Sequence, residues 1–215
     1  MEKFGIIGSG VVGQTLADGL LERGYPVMRG SRDPKKLEAW KSKAPAGAQI
    51  GTFEETARFG EIVILAVKGS AAEQAVREAT PGALAGKLVL DTTNPIKEGG
   101  PKDAVLDLFT TFQDSLMERL QRLAPAAHFV KAFSCVGAPQ MVNPVYKEGR
   151  PSMFIGGNDP AAKQRATALL GELGWDVEDM GVAAAARAIE PLCMLWCIPG
   201  FARNEWTHAF KLLHK

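Results

Sequence analysis

Three glycines, Gly8, Gly10 and Gly13, follow an apolar run from Phe4 to Ile7 with the spacing G-x-G-x-x-G. An amphipathic stretch begins at once, with Val12, Leu16, Leu20 and Leu21 on one face. Strand, tight turn and helix in that order make a site for the diphosphate of a dinucleotide. Gly8 permits the turn, Gly10 lets a pyrophosphate approach the backbone, and Gly13 lets the helix pack on the strand. The N–H groups of the first helical turn and its partial positive charge then face the phosphates. A second group, Gly30-Ser31-Arg32, follows the next short strand. Sheets that prefer NAD place an acid there to accept both ribose hydroxyls. Here Arg32 can stack on adenine and donate to a 2′-phosphate, Ser31 adds a hydroxyl, and Lys35 or Lys36 lies one turn on. Asp33 either caps the following helix or serves as the missing acid. The residues favour NADP over NAD.

Beyond these, no catalytic triad, zinc motif or P-loop is visible, and neither a metal site nor a catalytic acid or base is assigned. Ala66, Val67 and Lys68 close the fourth strand, and Asn94-Pro95 closes the fifth, where it would shape a nicotinamide site. Cys135 follows the sixth strand, near the expected nicotinamide. Phe109, Ser134, Cys135, Met194 and Trp196 are candidates for a second-substrate pocket; Phe112 is a further candidate ring contact, and hydrophobic core is the competing role for the aromatic and Met side chains. His128 precedes an apolar strand and reads as structural or surface; His208 and His214 are expected in an exposed final helix. Cys193 and Cys197, four apart, read as small core residues. Glu190 interrupts an apolar helix, so it needs a partner, a salt bridge before a role in the cleft.

The elements that position these residues alternate. A strand at 26–29 leads to Asp33-Pro34, an N-cap and first helical position, and a helix through Trp40. A weak third strand covers 48–51, and Thr52 with Glu55 has capping-box spacing. Residues 62–67, IVILAV, read as a strand covered on both faces. Ser70 with Glu73 forms a second expected box, opening a helix to about Ala79, and a strand follows at 88–91. The pattern loosens from Thr92 to Thr111, then Ser115 and Glu118 restart a helix to Leu123, before a sixth strand at 129–133. A smaller ending has a strand at 153–155, a helix at 160–173 and a short strand near Val177. Residues 183–197 read as a helix apolar nearly all round, kinked at Pro191 and ended by Pro199-Gly200, and 204–213 as a last amphipathic helix. The fold class expected is α/β, a Rossmann-type doubly wound, mainly parallel sheet with a small C-terminal α/β extension. Residues 1–150 would bind the cofactor, and 151–215 would close the cleft and support oligomerisation.

The chain of 215 residues carries a formal net charge of +1, which gives no electrostatic case for nucleic acid or an acidic membrane. No apolar run approaches the ~18 residues that span a bilayer. Three cysteines, an odd number, fit a reduced cytoplasm. MEKFGII enters the first strand directly, so no signal peptide is expected and the location expected is cytoplasmic.

The turn from Gly8 to Gly13, GSRDPKKL from Gly30, the strand IVILAVK and DTTNP from Asp91 resemble the NADP-dependent deazaflavin-coenzyme (F420) reductase family. The likeness continues through VKAFSCVGAPQMVNP from Val130, MFIGGNDPAAK from Met153 and ARAIEPLCMLW from Ala186. The resemblance implies that Ser9, Gly10, Val11, Val12, Gly13, Ser31, Arg32 and Lys36 hold NADP. It also implies a hydride acceptor over the nicotinamide, in a cleft closed by the C-terminal part, where the family's dimers meet. Residues 97–121 do not match, and they sit beyond the carboxyl ends of strands five and six. Vertebrate membrane metalloreductases share a similar NADP domain. The function expected is hydride transfer between NADP(H) and a deazaflavin, flavin or other planar acceptor; the alternative is a protein that senses NADP(H) without turning it over. A homodimer is expected, with Trp196 or Trp206 near its centre.

Overall fold

The computed structural model describes all 215 residues. Phe4–Ile7 forms β1, and α1 (Val11–Glu22) packs back on the sheet before β2 (Val27–Gly30). A 3-10 turn at Pro34–Leu37 and the short α2 (Glu38–Lys41) lead to β3 (Ala48–Gly51). Then come α3 (Phe53–Phe59), β4 (Ile62–Leu65), α4 (Gly69–Glu78), α5 (Pro81–Leu84) and β5 (Leu88–Asp91). After a long loop, α6 (Leu116–Leu123), β6 (His128–Lys131), β7 (Ser152–Gly157), α7 (Pro160–Glu172) and β8 (Asp176–Asp179) follow. The chain ends with α8 (Ala186–Ile189), α9 (Leu192–Arg203) and a tail without regular structure.

All eight strands join one sheet in the order β3-β2-β1-β4-β5-β6-β7-β8. The first six are parallel; β7 runs antiparallel to β6, and β8 parallel to β7. Only a 3-10 turn at Ala138–Gln140 lies between β6 and β7, so no helix is available for a parallel crossover. Every residue of β1, β4 and β5 is buried, because helices cover both faces. Alternate side chains feed two cores. Ile6, Ile64, Leu90 and Val130 meet Leu16 and Leu20 of α1 on one face; Ile7, Leu65, Val89 and Phe129 meet Val76 and Leu120 on the other. Each such side chain contributes ~1.5–3 kcal/mol by leaving water. The sheet order reverses between β1 and β4, and the carboxyl ends of the strands open a crevice at that point.

The local signals perform as physics requires at several starts. Thr52–Glu55 and Ser115–Glu118 form reciprocal capping boxes, and Asp33 caps its turn by accepting the Lys35 N–H. Ser70–Glu73 does not: α4 starts at Gly69 with Lys68 as N-cap, and the Ser70 hydroxyl donates to Glu98 instead. Gly69 lies so close to the Asn94 carbonyl that a Cβ would overlap it, which sets where this helix begins.

Two expectations at the C-terminus are corrected. Residues 183–197 are not one helix: a 3-10 turn, α8 and α9 are separated at Glu190-Pro191, and Pro199 lies inside α9 without ending it. The helix stops at Asn204, which adopts a left-handed conformation (φ 57°). Residues 204–213 are not helical. The Phe210 carbonyl accepts the Ser152 N–H at 2.9 Å, and the Leu212 N–H donates to the Ser152 hydroxyl at 3.0 Å. Those long-range partners at the start of β7 outweigh a modest helical propensity. The loop from Thr92 to Thr111 contains isolated bridges such as Ile96–Leu108 and no helix. No helix is long and apolar enough to cross a membrane.

Candidate functional site

The glycine turn joins β1 to α1 at the crevice. Gly8 has φ 148°, its N–H donates to the Gly30 carbonyl at 3.0 Å, and a Cβ on it would strike the Ala66 carbonyl. A Cβ on Gly13 would lie 2.6 Å from the Gly8 carbonyl oxygen, so helix and turn pack backbone to backbone. Gly10 differs. Its backbone is ordinary, nothing lies within 4 Å of an added Cβ, and it is the N-cap of α1 without a side-chain cap. No acid occupies the first turn, so its N–H groups are left to an outside anion.

Two connected clefts run from this turn. The larger, about 570 Å³, brings Ser9, Gly10, Ser31, Arg32 and Lys36 together with Ala66, Val67 and Lys68. Lys36 lines it and Lys35 does not. Ser31 is buried, and its hydroxyl oxygen accepts the Asp33 N–H at 3.2 Å. The Asp33 carboxylate is turned to the Lys35 N–H. Glu78, the other acid of this cleft, accepts from Gln74 at 3.0 Å. The smaller cleft, about 310 Å³, shares Val67 and Lys68 and adds Val12, Ser70, Thr92 and Asn94. The Asn94 side-chain oxygen is buried there without a partner. Of the other residues singled out, Gly8 and Gly13 lie beneath the turn, Val11 is exposed beside it, and Pro95 is buried behind the smaller cleft.

The five candidates for a second-substrate pocket line neither cleft. Phe109 is half-buried under the Arg119 guanidinium. Ser134 and Cys135 are inside the protein, where burial pushes the Cys135 thiol up to about 12. Met194 is half-buried on α9. Trp196 is covered by its own chain: its indole N–H donates to the His208 carbonyl at 2.9 Å, and the His208 ring stacks on it. His208 is therefore half-buried, while His214 is exposed beside Glu178. His128 faces Asp159 at 3.7 Å, away from both clefts. Cys193 and Cys197 sit buried and half-buried on one side of α9.

Glu190 has its partner, and the partner belongs to a cluster that sequence reasoning missed. Lys131, at the end of β6, is fully buried; its Nζ donates to Asp91 Oδ2 at 3.0 Å and to the Thr93 carbonyl. Glu190 Oε1 lies 3.7 Å from the same Nζ, while its two oxygens accept the N–H groups of Met117 and Leu116, at the start of α6. Burial raises the Glu190 carboxyl above the usual range, and the ammonium opposes that rise. The cluster fixes the Thr92–Asn94 segment, which forms one wall of the smaller cleft. A lysine directly after the apolar run Phe129-Val130 was the available signal.

Residues 3–95 match the family described as NADP oxidoreductase, coenzyme F420-dependent. A solved structure from Arthrobacter sp. FB24, described as a candidate F420-dependent NADP reductase, is 32% identical with a TM-score of 0.92, and the match covers 100% of both chains. The chain belongs to this family. It is an oxidoreductase built around a nicotinamide-cofactor fold. Rat metalloreductase STEAP3 is 31% identical over 202 residues, 92% of this chain and 38% of that protein. Human metalloreductase STEAP2 is 26% identical over 195 residues, 87% of this chain and 35% of that one. The chain thus spans well under half the length of these two relatives.

Proposed function

We propose that the protein transfers a hydride between NADP(H) and a planar acceptor of the deazaflavin or flavin type. The carrying observation is the corner of the larger cleft where Ser9, Ser31, Arg32 and Lys36 meet, with the Asp33 carboxylate engaged by the Lys35 backbone. Asp33 also lines this corner, but its Oδ1 is taken by the Lys35 N–H, which leaves it poorly set to accept both hydroxyls of a ribose; a 2′-phosphate finds two cations and two hydroxyls. The open space at Gly10 and the uncapped N-terminus of α1 fit a diphosphate. The unpartnered Asn94 oxygen in the smaller cleft fits the N–H of a nicotinamide carboxamide. Bound in this way, the dinucleotide itself supplies the hydride chemistry. The chain's part is to align two rings and exclude water, which needs no strong acid or base. The acceptor would approach along the smaller cleft, whose rim carries Ile96 and, from the segment that departs from the family pattern, Lys97 and Glu98.

A homodimer belongs to the same proposal. Met194, Leu195, Ile198 and Phe201 occupy one arc of α9, with Leu195 55% and Phe201 42% exposed. Trp196 points inward, so the outer arc and not this indole would meet the second copy. Titration with NADPH and NADH, followed by NADPH consumption across a panel of deazaflavin and flavin acceptors, tests the reading. Tight NADPH binding without turnover would favour a nucleotide sensor.

A further inference from the structure

Arg29, in β2, is 1% exposed and among the largest fully buried side chains of the protein. Buried guanidinium groups are ordinarily paired with a carboxylate. Arg29 forms no ion pair. Its Nη2 donates to the Gly10 carbonyl at 3.2 Å, its guanidinium carbon lies 4.6 Å from the centre of the Trp40 ring, and its Nε has no partner. Asp18 is near enough to favour the charge, but one of its oxygens accepts the Trp40 indole N–H at 2.7 Å. Burial dominates and lowers the guanidinium to about 10, which still leaves it cationic at neutral pH.

The position compounds the cost. Gly10 is the N-cap of α1, the end that carries the positive half of the helix dipole. A buried cation against that end sets like charge beside like, and α1 offers no acid in its first turn to offset either. Arg29 and Trp40 line a hollow of about 510 Å³ that shares Ser9 and Lys36 with the larger cleft, with Asp18 and Glu22 as its acids. The site is electrostatically incomplete on the side where the dinucleotide phosphates are placed.

The geometry points to Arg29 as a buried cation whose missing counter-charge is a phosphate of the bound dinucleotide: it strengthens phosphate binding at the Ser9-Gly10 turn and gives the empty protein no stability. The inference rests on the assignment of that turn to a dinucleotide. Two phosphates could supply the charge, the diphosphate common to NADH and NADPH or the 2′-phosphate of NADPH alone.

The test uses the full chain carrying Arg29→Met, which keeps an apolar stem against Trp40, and Arg29→Lys, which keeps the charge. Melting temperature without ligand and the dissociation constants of NADPH and NADH are measured for both. Arg29→Met is expected to melt no lower than the parent and to bind NADPH on the order of tenfold more weakly, with Arg29→Lys recovering most of that loss. Equal losses for the two cofactors place the phosphate at the diphosphate; a loss for NADPH alone places it at the ribose. An Arg29→Met protein that fails to fold, or that melts lower with unchanged affinities, overturns the inference. So does a loss that Arg29→Lys does not recover. A parent protein that binds neither dinucleotide would instead overturn the assignment of the turn.

Discussion

Replacing Lys131 by Met removes the one cation from a cluster of two buried carboxylates. In the parent its Nζ lies 3.0 Å from Asp91 and 3.7 Å from Glu190. At an effective dielectric of about 20 those separations correspond to attractions of ~5.5 and ~4.5 kcal/mol. Desolvation of the ammonium, several kcal/mol, offsets part of that sum, so the expected net loss is ~3–5 kcal/mol at neutral pH. For a chain of this size that lowers the melting temperature by roughly 6–20 °C. The loss should depend on pH. Burial already raises the Glu190 carboxyl in the folded state, and without the ammonium it rises further. A carboxyl with a raised folded pKa contributes stability below its unfolded pKa and loses it as pH rises through the folded value. The variant should therefore lag the parent less at about pH 5 than at about pH 7. Urea titrations of both proteins at the two pH values measure this directly. A loss below ~1 kcal/mol at neutral pH, or one that grows on acidification, would refute the assignment of the cluster as a charge-paired unit. Because Lys131 also holds the Thr93 carbonyl beside Thr92 and Asn94, NADPH affinity should fall as well.

Arg32→Ala should weaken NADPH by ~1.5–3 kcal/mol and leave NADH nearly unchanged, as measured by fluorescence titration; equal losses would exclude a 2′-phosphate role. Gly10→Val should leave the fold largely intact, since nothing lies within 4 Å of the new Cβ, with only the small cost of a poorer N-cap, and should lose dinucleotide binding, because the side chain fills the space at the turn. Arg187, 38% exposed, donates through two nitrogens to Glu118 and holds that carboxyl down to about 2. That stability is present above the unfolded carboxylate range and is lost as pH falls towards about 2, so Arg187→Met should lower stability slightly at neutral pH and flatten the acid limb of a stability–pH curve. Cys135 and Cys193, both raised to about 12 by burial, should resist thiol reagents in the native protein and react once it is unfolded.

What could be read from the sequence was mostly local. The glycine turn, the fully apolar strands and the boxes at Thr52–Glu55 and Ser115–Glu118 each depend on residues a few positions apart. The tail from Asn204 departs from its helical pattern because its decisive partner, Ser152, lies 60 residues from Leu212. Pro199 has the character of a helix stop, yet its missing N–H would have bonded to the Leu195 carbonyl, and Leu195 is exposed, so the helix continues through it. The Lys131–Asp91 bond spans 40 residues, and no periodic pattern encodes such a meeting. Its signature was only a charge placed in an apolar run. Arg29 had the same signature within β2.

The most direct measurement mixes the purified full chain with NADPH or NADH and, in turn, coenzyme F420, FMN and FAD, and follows the nicotinamide absorbance. The residues around Ser31, Arg32 and Lys36 predict oxidation of NADPH by at least one planar acceptor, with NADH far slower at equal concentration. Bound NADPH that no acceptor oxidises, or equal use of NADH, would contradict an NADP(H)-dependent hydride transferase.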